Sequence, residues 1–593
     1  MLTMLRIRLL LLRLRTYTQA ALRFSDTHAT LLWAAVAGVA GALATVGFRE
    51  GIDFLQWLMV GQTGSLVDMA EKLSWPMRLL IPTAGGVVAG SLLLLGTQSN
   101  QKQSQSQASV DYMEAIAIGD GRISLRQSLS RSVSSLCTIA SGGSIGREGS
   151  MIQLAALCSS LLGRAIHFDP PRLRLLVACG AAAGITAAYN APIAGAFFIT
   201  EIVLGSIAME SFGPILVASV IANITMRAFA GYRPPYEMPS FPAIHGLEVL
   251  LFLMLGLLAG LAAPQFLHLL DFSKRQFNKT GMPLPLRLGV GGLLVGLLSL
   301  WLPQIWGNGY EVVNDILHTH WAWSTLLIIL VLKVAATALT TGSGAVGGVF
   351  TPTLFVGAVI GCLFGLAAQT LWPQIASAPF AYAIVGMGAF LAAATNAPLM
   401  AMLMMFEMTL SYQVMLPLIL SCVVAYSVSR AIDEKSMYHI TIERRRTRQE
   451  QLRLRAALVG DMIKPAETVL PTTATISELT RVFLAYPVKY IYIVDAAQRF
   501  CGAVALKDIT SNLLDVKTMD GQRAGDFLRH DLHSLTPDMS LAVALKHFMA
   551  YPGERLPVVE SAQSPVLLGV VYKSTLLDTY VRMSGVGSAS AQA

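Results

Sequence analysis

The chain has 593 residues, of which 54% are hydrophobic and only 13% charged, with a mean hydropathy of +0.58 and a formal net charge of +8. These proportions exclude an ordinary soluble globular protein and indicate a polytopic membrane protein. Six cysteines in no paired pattern and ten histidines without an HxxxH pair argue against a disulfide framework or a metal centre, and the cysteines read as small buried hydrophobes.

The basic charge lies at the edges of the apolar region. Residues 1–30 open with "MLTMLRIRLLLLRLR", which carries Arg6, Arg8, Arg13 and Arg15 and lacks a small-residue cleavage site. The segment reads as a basic amphipathic cytoplasmic helix, not a signal peptide. A second basic run, "ERRRTRQEQLRLR", follows the last apolar stretch within a linker at 443–456. An excess of Lys and Arg marks the cytoplasmic side of a membrane protein, so both flanks are expected there. Beside so much membrane the charge sets orientation and does not bind nucleic acid.

Between these flanks residues 31–442 form the expected transmembrane domain, in two related halves of about 31–230 and 245–435. The first half contains "SGGSIGREGSMIQ" (141–153), where Arg147 and Glu148 are the charges in a stretch otherwise uncharged from Ser132 to Gly163. An acid at membrane depth is costly and by default functional. The glycines let backbone approach a ligand closely, and a helix can begin after them. The second half repeats the plan in "GSGAVGGVFTP" (342–352). A helix N-terminus presents free N–H donors and about half a positive charge, which attracts an anion without holding it too firmly for fast transport. A cation pathway would require rings of acids, and the deep acids read from the sequence are Glu148, Glu201 and Glu407. Anion transport fits better. On that reading a deprotonated Glu148 competes with the anion for its place and plugs the route, while a protonated one swings away.

Two further segments, "YNAPIAGAFFITE" (189–201) and "TNAPLMAMLMMFE" (395–407), share N-A-P and then a Glu 11 residues after the Asn. Asn190 and Asn396 are expected as N-caps, with Pro192 and Pro398 in the first turn. Helices that start in the middle of apolar sequence, twice, indicate discontinuous helices in two repeats. The five methionines of "LMAMLMMFEM" read as plastic core packing.

From residue 457 the composition is that of a soluble domain. "RVFLAYPVKYIYIVDAAQRFCGAVALKDI" (481–509) and "KHFMAYPGERLPVVESAQSPVLLGVVYKSTL" (546–576) repeat one helix–strand–strand–helix plan. A small α/β pair is expected, with units at about 457–515 and 520–583.

GREGx at Gly146–Ser150, GGxFxP at Gly347–Pro352 and the two NAP…E segments occur together and in order, and in this the chain resembles the ClC family of chloride channels and chloride/proton exchangers. The membrane part is most similar to the bacterial ClcB-type branch, and the tail resembles a pair of CBS domains. The resemblance implies a mainly α polytopic membrane protein, the ClC fold of two inverted-topology repeats with broken helices, plus a soluble α/β CBS pair. It implies a homodimer with one pore per subunit in a bacterial inner membrane, both termini cytoplasmic, with chloride as substrate, protons as a second partner and no enzymatic activity. It matches Glu148 to the gate and proton group, and Tyr438 in "DEKSMYHI" to the tyrosine whose hydroxyl meets chloride. The N–H groups of Val349 and Phe350, with Gly348, Gly149 and Arg147, complete the implied anion site.

Three departures from the family pattern shape the expectations. Only Ser109, in "SQASVDYMEA", stands for the serine of the family's GSGIP segment. Exchangers commonly carry two adjacent acids where this chain has Glu201 and then Ile202, which favours a channel over a coupled antiporter. In the tail, "GAVALKD" keeps Gly502 and Asp508 of a nucleotide-binding pattern, whereas the second unit has Thr575 in place of the Asp. Adenine nucleotide is thus an optional ligand at Asp508, and a structural tail the plainer expectation. No cofactor is required. A non-conducting nucleotide sensor is the competing function from a different class; a divalent-cation transporter is disfavoured by the missing acid-rich segments.

Overall fold

The computed structural model describes residues 26–98, 111–229, 236–242, 244, 246–438, 457–510, 522–530, 532–551 and 553–584. The basic N-terminal run, Ser109 and the linker at 443–456 lie outside them. The chain divides into two compact units between Ile442 and Glu443.

The first unit is helical. Its first half comprises α1 (Asp26–Val60), α2 (Leu66–Lys72), α3 (Trp75–Gln98), α4 (Tyr112–Ala117), α5 (Leu125–Ala140), α6 (Glu148–Ala165), α7 (Pro170–Tyr189), α8 (Pro192–Phe197, continued by a π-helical turn to Leu204) and α9 (Met209–Arg227). The second half comprises α10 (Glu248–Lys279), α11 (Leu284–Trp301), α12 (Tyr310–His318), α13 (Trp323–Gly342), α14 (Phe350–Leu371), α15 (Pro379–Thr395), α16 (Pro398–Thr409) and α17 (Met415–Ile432). Among the described residues nine helices are long and apolar enough to cross a membrane.

Burial separates the interior helices from those that face lipid. The most apolar window of α7 is 83% buried, against 33% in α11 and in α17. α7 and α15 are rich in Ala and Gly, and small residues allow neighbouring backbones to approach where lipid offers no hydrophobic drive to association. Outward-facing Leu, Ile and Val side chains on α1, α10 and α13 remain exposed, as a lipid-facing surface requires.

The halves repeat their irregularities. Gly142 and Gly344 both take the left-handed conformation before the glycine-rich breaks. Asn190 and Asn396 do the same, at φ 59° and 56°. These two asparagines therefore close α7 and α15 as C-caps, whereas the sequence reading placed them as N-caps of the next helices. The N-cap positions belong to Ala191 and Ala397, which are kept out of the helical conformation because each precedes a proline.

The second unit has two halves of related plan. The first has β1 (Val469–Pro471), α18 (Ile476–Ala485), β2 (Tyr490–Val494), β3 (Phe500–Ala505) and α19 (Leu506–Thr510). Here β1 runs parallel and β3 antiparallel to β2. The second has α20 (Leu541–Ala550), the antiparallel β4 (Arg555–Val559) and β5 (Leu567–Tyr572), and α21 (Lys573–Ser584). Each half completes the other. Ala457, Val459 and Met462 pack into the core of the second half, and Ala524 packs into that of the first. Lys464 and Val570 exchange backbone hydrogen bonds at 2.9 and 2.8 Å, as Ala503 and Arg529 do at 3.2 and 2.9 Å. The expected units of 457–515 and 520–583 thus hand their leading segments to one another.

Candidate functional site

The two glycine-rich breaks meet. Gly146 donates its N–H to the Gly348 carbonyl at 2.7 Å, and Gly348 returns the bond to Gly146 at 2.9 Å. The pair sets the start of α6, at Glu148, beside the start of α14, at Phe350. The leading amides of a helix have no carbonyl within it to serve, so two sets of N–H donors converge on one place. Val349 caps α14 and Phe350 is its first residue; Gly149 is in the first turn of α6. The Gly348 amide is already engaged, because the Gly146 carbonyl accepts its proton. A methyl group on Gly348 would stand 3.5 Å from the Glu148 Oε2.

Glu148 lies at this junction with 2% of its surface exposed. The Tyr310 hydroxyl donates to its Oε1 at 2.6 Å, and the Thr351 hydroxyl donates to the same oxygen. Tyr189 hydrogen-bonds Thr351 at 2.9 Å, so two hydroxyls bond the carboxylate directly and a third stands behind one of them, the three coming from three helices. Its other oxygen, Oε2, is buried and has no hydrogen-bond partner among the described residues. It rests over the bridge: a methyl group on Gly146 would stand 2.2 Å from it. Glycine at 146 is therefore a condition of this arrangement. Arg147 does not neutralise its neighbour. Its guanidinium lies over the Tyr310 ring, 5.0 Å from the centroid.

An aromatic column leads away from this carboxylate. Tyr189 packs on Phe350 with centroids 5.1 Å apart, Phe350 on Phe198 at 6.3 Å, and Phe198 edge-on to Tyr438 at 5.8 Å. Tyr438 is carried by the segment after α17, which is held where Met437 donates its N–H to Ala394 at 2.8 Å and Asn396 donates to the Glu434 carbonyl at 3.3 Å. Glu148, Gly149, Val349 and Phe350 thus lie together at the paired helix starts, ring contacts run from Phe350 through Phe198 to Tyr438, and Arg147 lies over the Tyr310 ring. Ser109 falls outside the described residues.

Two further acids meet helix starts. Glu201 accepts N–H bonds from Leu399 at 3.3 Å and Met400 at 2.7 Å, at the start of α16. Glu407 accepts from Ile193 at 2.9 Å and Ala194 at 2.7 Å, at the start of α8. Each acid caps the broken helix of the other half, and helix capping is the contact the structure gives Glu201. Asp508 is likewise engaged. Both its oxygens are held by Arg529, at 2.5 and 2.8 Å. That guanidinium also holds the Asp508 carboxyl below the usual carboxylate range.

Sequence reading missed Tyr310, Thr351 and Tyr189, and also the buried Glu248, which accepts from the Ser377 amide and hydroxyl and from the Tyr382 hydroxyl. Thr351 was within reach, since it lies inside the GGxFxP motif; the other three give no local signal.

The family profile described as voltage gated chloride channel matches residues 85–430, and the CBS domain profile matches residues 524–582. A ClcB-like chloride channel protein of Ralstonia nicotianae is 54% identical over 425 residues, covering 71% of this chain and 98% of that protein. The voltage-gated ClC-type chloride channel ClcB of Salmonella typhimurium is 41% identical over 411 residues, covering 69% and 97%. Among solved structures, a slow cyanobacterial Cl-/H+ antiporter superposes with a TM-score of 0.62 at 26% identity, covering 71% of this chain and 98% of its own. A eukaryotic CLC transporter shares the fold at 17% identity, with a TM-score of 0.59 and coverage of 93% and 99%.

Proposed function

The chain belongs to the ClC family of voltage-gated chloride channels and transporters, and on that premise we propose that it passes chloride across the bacterial inner membrane through a path gated by Glu148. The observation that carries this reading is the position of the Glu148 carboxylate, buried where the starts of α6 and α14 meet. An ionised carboxylate in a field of helix-end donors is a tethered substitute for the transported anion. Protonation removes its charge and with it the attraction to that field, so the side chain yields its place to chloride. Val349, Phe350 and Gly149 supply amides along the path, and the Tyr438 hydroxyl its inner contact. The protein works as a homodimer with one path per subunit, and its termini face the cytoplasm.

Within this reading the chain is a channel. Ile202 carries no proton, and the carboxylates of Glu201 and Glu407 are engaged by helix amides. Coupled chloride/proton exchange is the second reading. It is favoured by the hydrogen-bonded hydroxyls of Tyr189, Thr351 and Tyr310, which can pass a proton to or from Glu148. The reversal potential of reconstituted vesicles under a proton gradient separates the two: a channel ignores the gradient, and an exchanger shifts with it. Glu148→Gln tests the gate itself. The variant is expected to release chloride with little dependence on pH. A pH response equal to that of the wild type removes Glu148 from gating, and no efflux from wild-type vesicles at any pH would favour the non-conducting sensor.

A further inference from the structure

We propose that Lys333 is a positioning residue for the gate: from within the membrane domain it fixes the turn that presents the Tyr310 hydroxyl to Glu148. The proposal rests on the reading of Glu148 as the gate.

Lys333 lies in the middle of α13 with 1% of its surface exposed. An ammonium at such depth persists only if its three protons are satisfied. Here they meet three backbone carbonyls, Ile305 at 2.8 Å, Trp306 at 3.4 Å and Gly307 at 2.7 Å. Those carbonyls belong to the turn between α11 and α12, where Gly307 and Gly309 have φ of +66° and +93°. A turn bent this way cannot pair its own carbonyls in helical fashion, so the ammonium supplies what the backbone lacks. The next residue after Gly309 is Tyr310, whose hydroxyl donates to Glu148.

Two other contacts show what Lys333 joins. Its ammonium lies 5.6 Å from the centroid of the Phe355 ring, on the helix whose first turn carries Phe350 and Thr351. The turn it holds is also bonded to the first glycine-rich break, because Gly307 donates to the Gly142 carbonyl at 3.3 Å. The Trp306 ring occupies the space a side chain on Gly142 would need, 2.5 Å from such a carbon. One buried cation therefore ties together α13, α14 and the turn leading to Tyr310, whose hydroxyl bonds the carboxylate at the start of α6. On the far side of Tyr310, Glu311 accepts from the Ser65 hydroxyl at 2.7 Å and from the Leu66 and Val67 amides at 3.2 Å, pinning the same short helix. Tyr310 is held between two charged anchors.

If Lys333 acts through Tyr310, freeing the turn loosens the closed carboxylate and raises flux, whereas simple damage to the fold lowers it. The test is chloride efflux from vesicles at neutral pH, with Lys333→Met, Lys333→Gln, Tyr310→Phe and the combined variants purified as full chains. Tyr310→Phe is expected to raise efflux about tenfold, the weight of one hydrogen bond to a charged acceptor. Lys333→Met is expected to raise it several-fold, and to add nothing in the Tyr310→Phe or Glu148→Gln backgrounds. Lys333→Gln keeps two donors and gives a smaller rise, which decides the matter should the methionine variant not fold. Wild-type efflux from a folded Lys333 variant, or a rise that persists in the Tyr310→Phe background, overturns the proposal. Glu148→Gln alone reports on the gate: a pH-dependent flux in that variant removes the gate and this proposal with it. A flat response alongside inert Lys333 variants overturns the positioning role alone.

Discussion

A carboxylate buried at membrane depth can persist by pairing with a cation or by collecting hydrogen-bond donors. Glu148 takes the second course, since Arg147 turns toward the Tyr310 ring and two hydroxyls reach Oε1. This arrangement is easily released, because hydroxyl donors can also accept, whereas a fixed ion pair would hold the acid in place. Thr351→Val removes one donor at nearly constant volume and leaves the start of α14 intact. Efflux at neutral pH is expected to rise about tenfold, as for any single hydrogen bond to a charged acceptor, and an unchanged rate would show that Thr351 does not restrain the gate. Tyr438→Ala removes a hydroxyl and the ring that packs edge-on against Phe198; chloride affinity by calorimetry is expected to fall about tenfold. Glu148 was legible in the sequence because a lone acid in an uncharged stretch is a physical anomaly. Its partner Tyr310 was not, because a tyrosine 162 residues further on becomes a neighbour of residue 148 only through the fold.

At the scale of elements, the broken helices are the feature that repeats, and their starts are stabilised across the repeat. Glu201 from the first half caps α16 of the second, and Glu407 from the second caps α8 of the first. A charge at a helix start within an apolar surrounding is stabilising through both the amide bonds and the helix dipole. Glu201→Ala and Glu407→Ala are each expected to lower stability by about 1–2 kcal/mol, seen as a lower unfolding temperature in detergent. Their pH response of efflux should equal that of the wild type. A flattened response in Glu201→Ala would restore it as a proton group. The equal spacing from Asn to Glu in both segments was readable, and so was the repeat. The direction of the cap was not. Asn before Ala-Pro suits an N-cap by residue type, yet the non-helical residue ahead of proline occupies that position and the asparagine takes the left-handed turn behind it. The acids, read as deep charges within their own helices, serve helices that lie about two hundred residues away in sequence, a relation visible only once the halves are folded together.

For the whole molecule, Glu148 and the described residues bonded to it lie in the first unit, while the tail forms a second compact unit. Within that tail the two halves exchange their leading segments, and the Asp508–Arg529 pair secures the exchange: Asp508 lies on α19 of the first half, and Arg529 arrives on the segment bonded to Ala503. The side chains are 29% and 25% exposed for Arg529 and Asp508, so the pair is screened in part, and about 1 kcal/mol is the expected cost of Arg529→Ala at neutral pH. The pH dependence has a definite sign. Arg529 lowers the folded-state value for Asp508 below its ordinary one of about 3.9. The stabilisation is thus present at pH above about 4 and is lost as the pH falls through the lowered folded value. Hydrogen exchange of β3 and of residues 522–530, measured on the full chain, should be faster in Arg529→Ala than in the wild type near neutrality. The two should converge in acid, as protonation of Asp508 removes in the wild type what the substitution removes in the variant. A gap that widens below pH 4 would mean that some group other than Asp508 supplies the pH-dependent stability. Because the pair already engages both carboxylate oxygens, added adenine nucleotide is expected to leave exchange in this segment and chloride efflux unchanged, and slower exchange on adding nucleotide would show that the nucleotide displaces Arg529 and that the tail senses it.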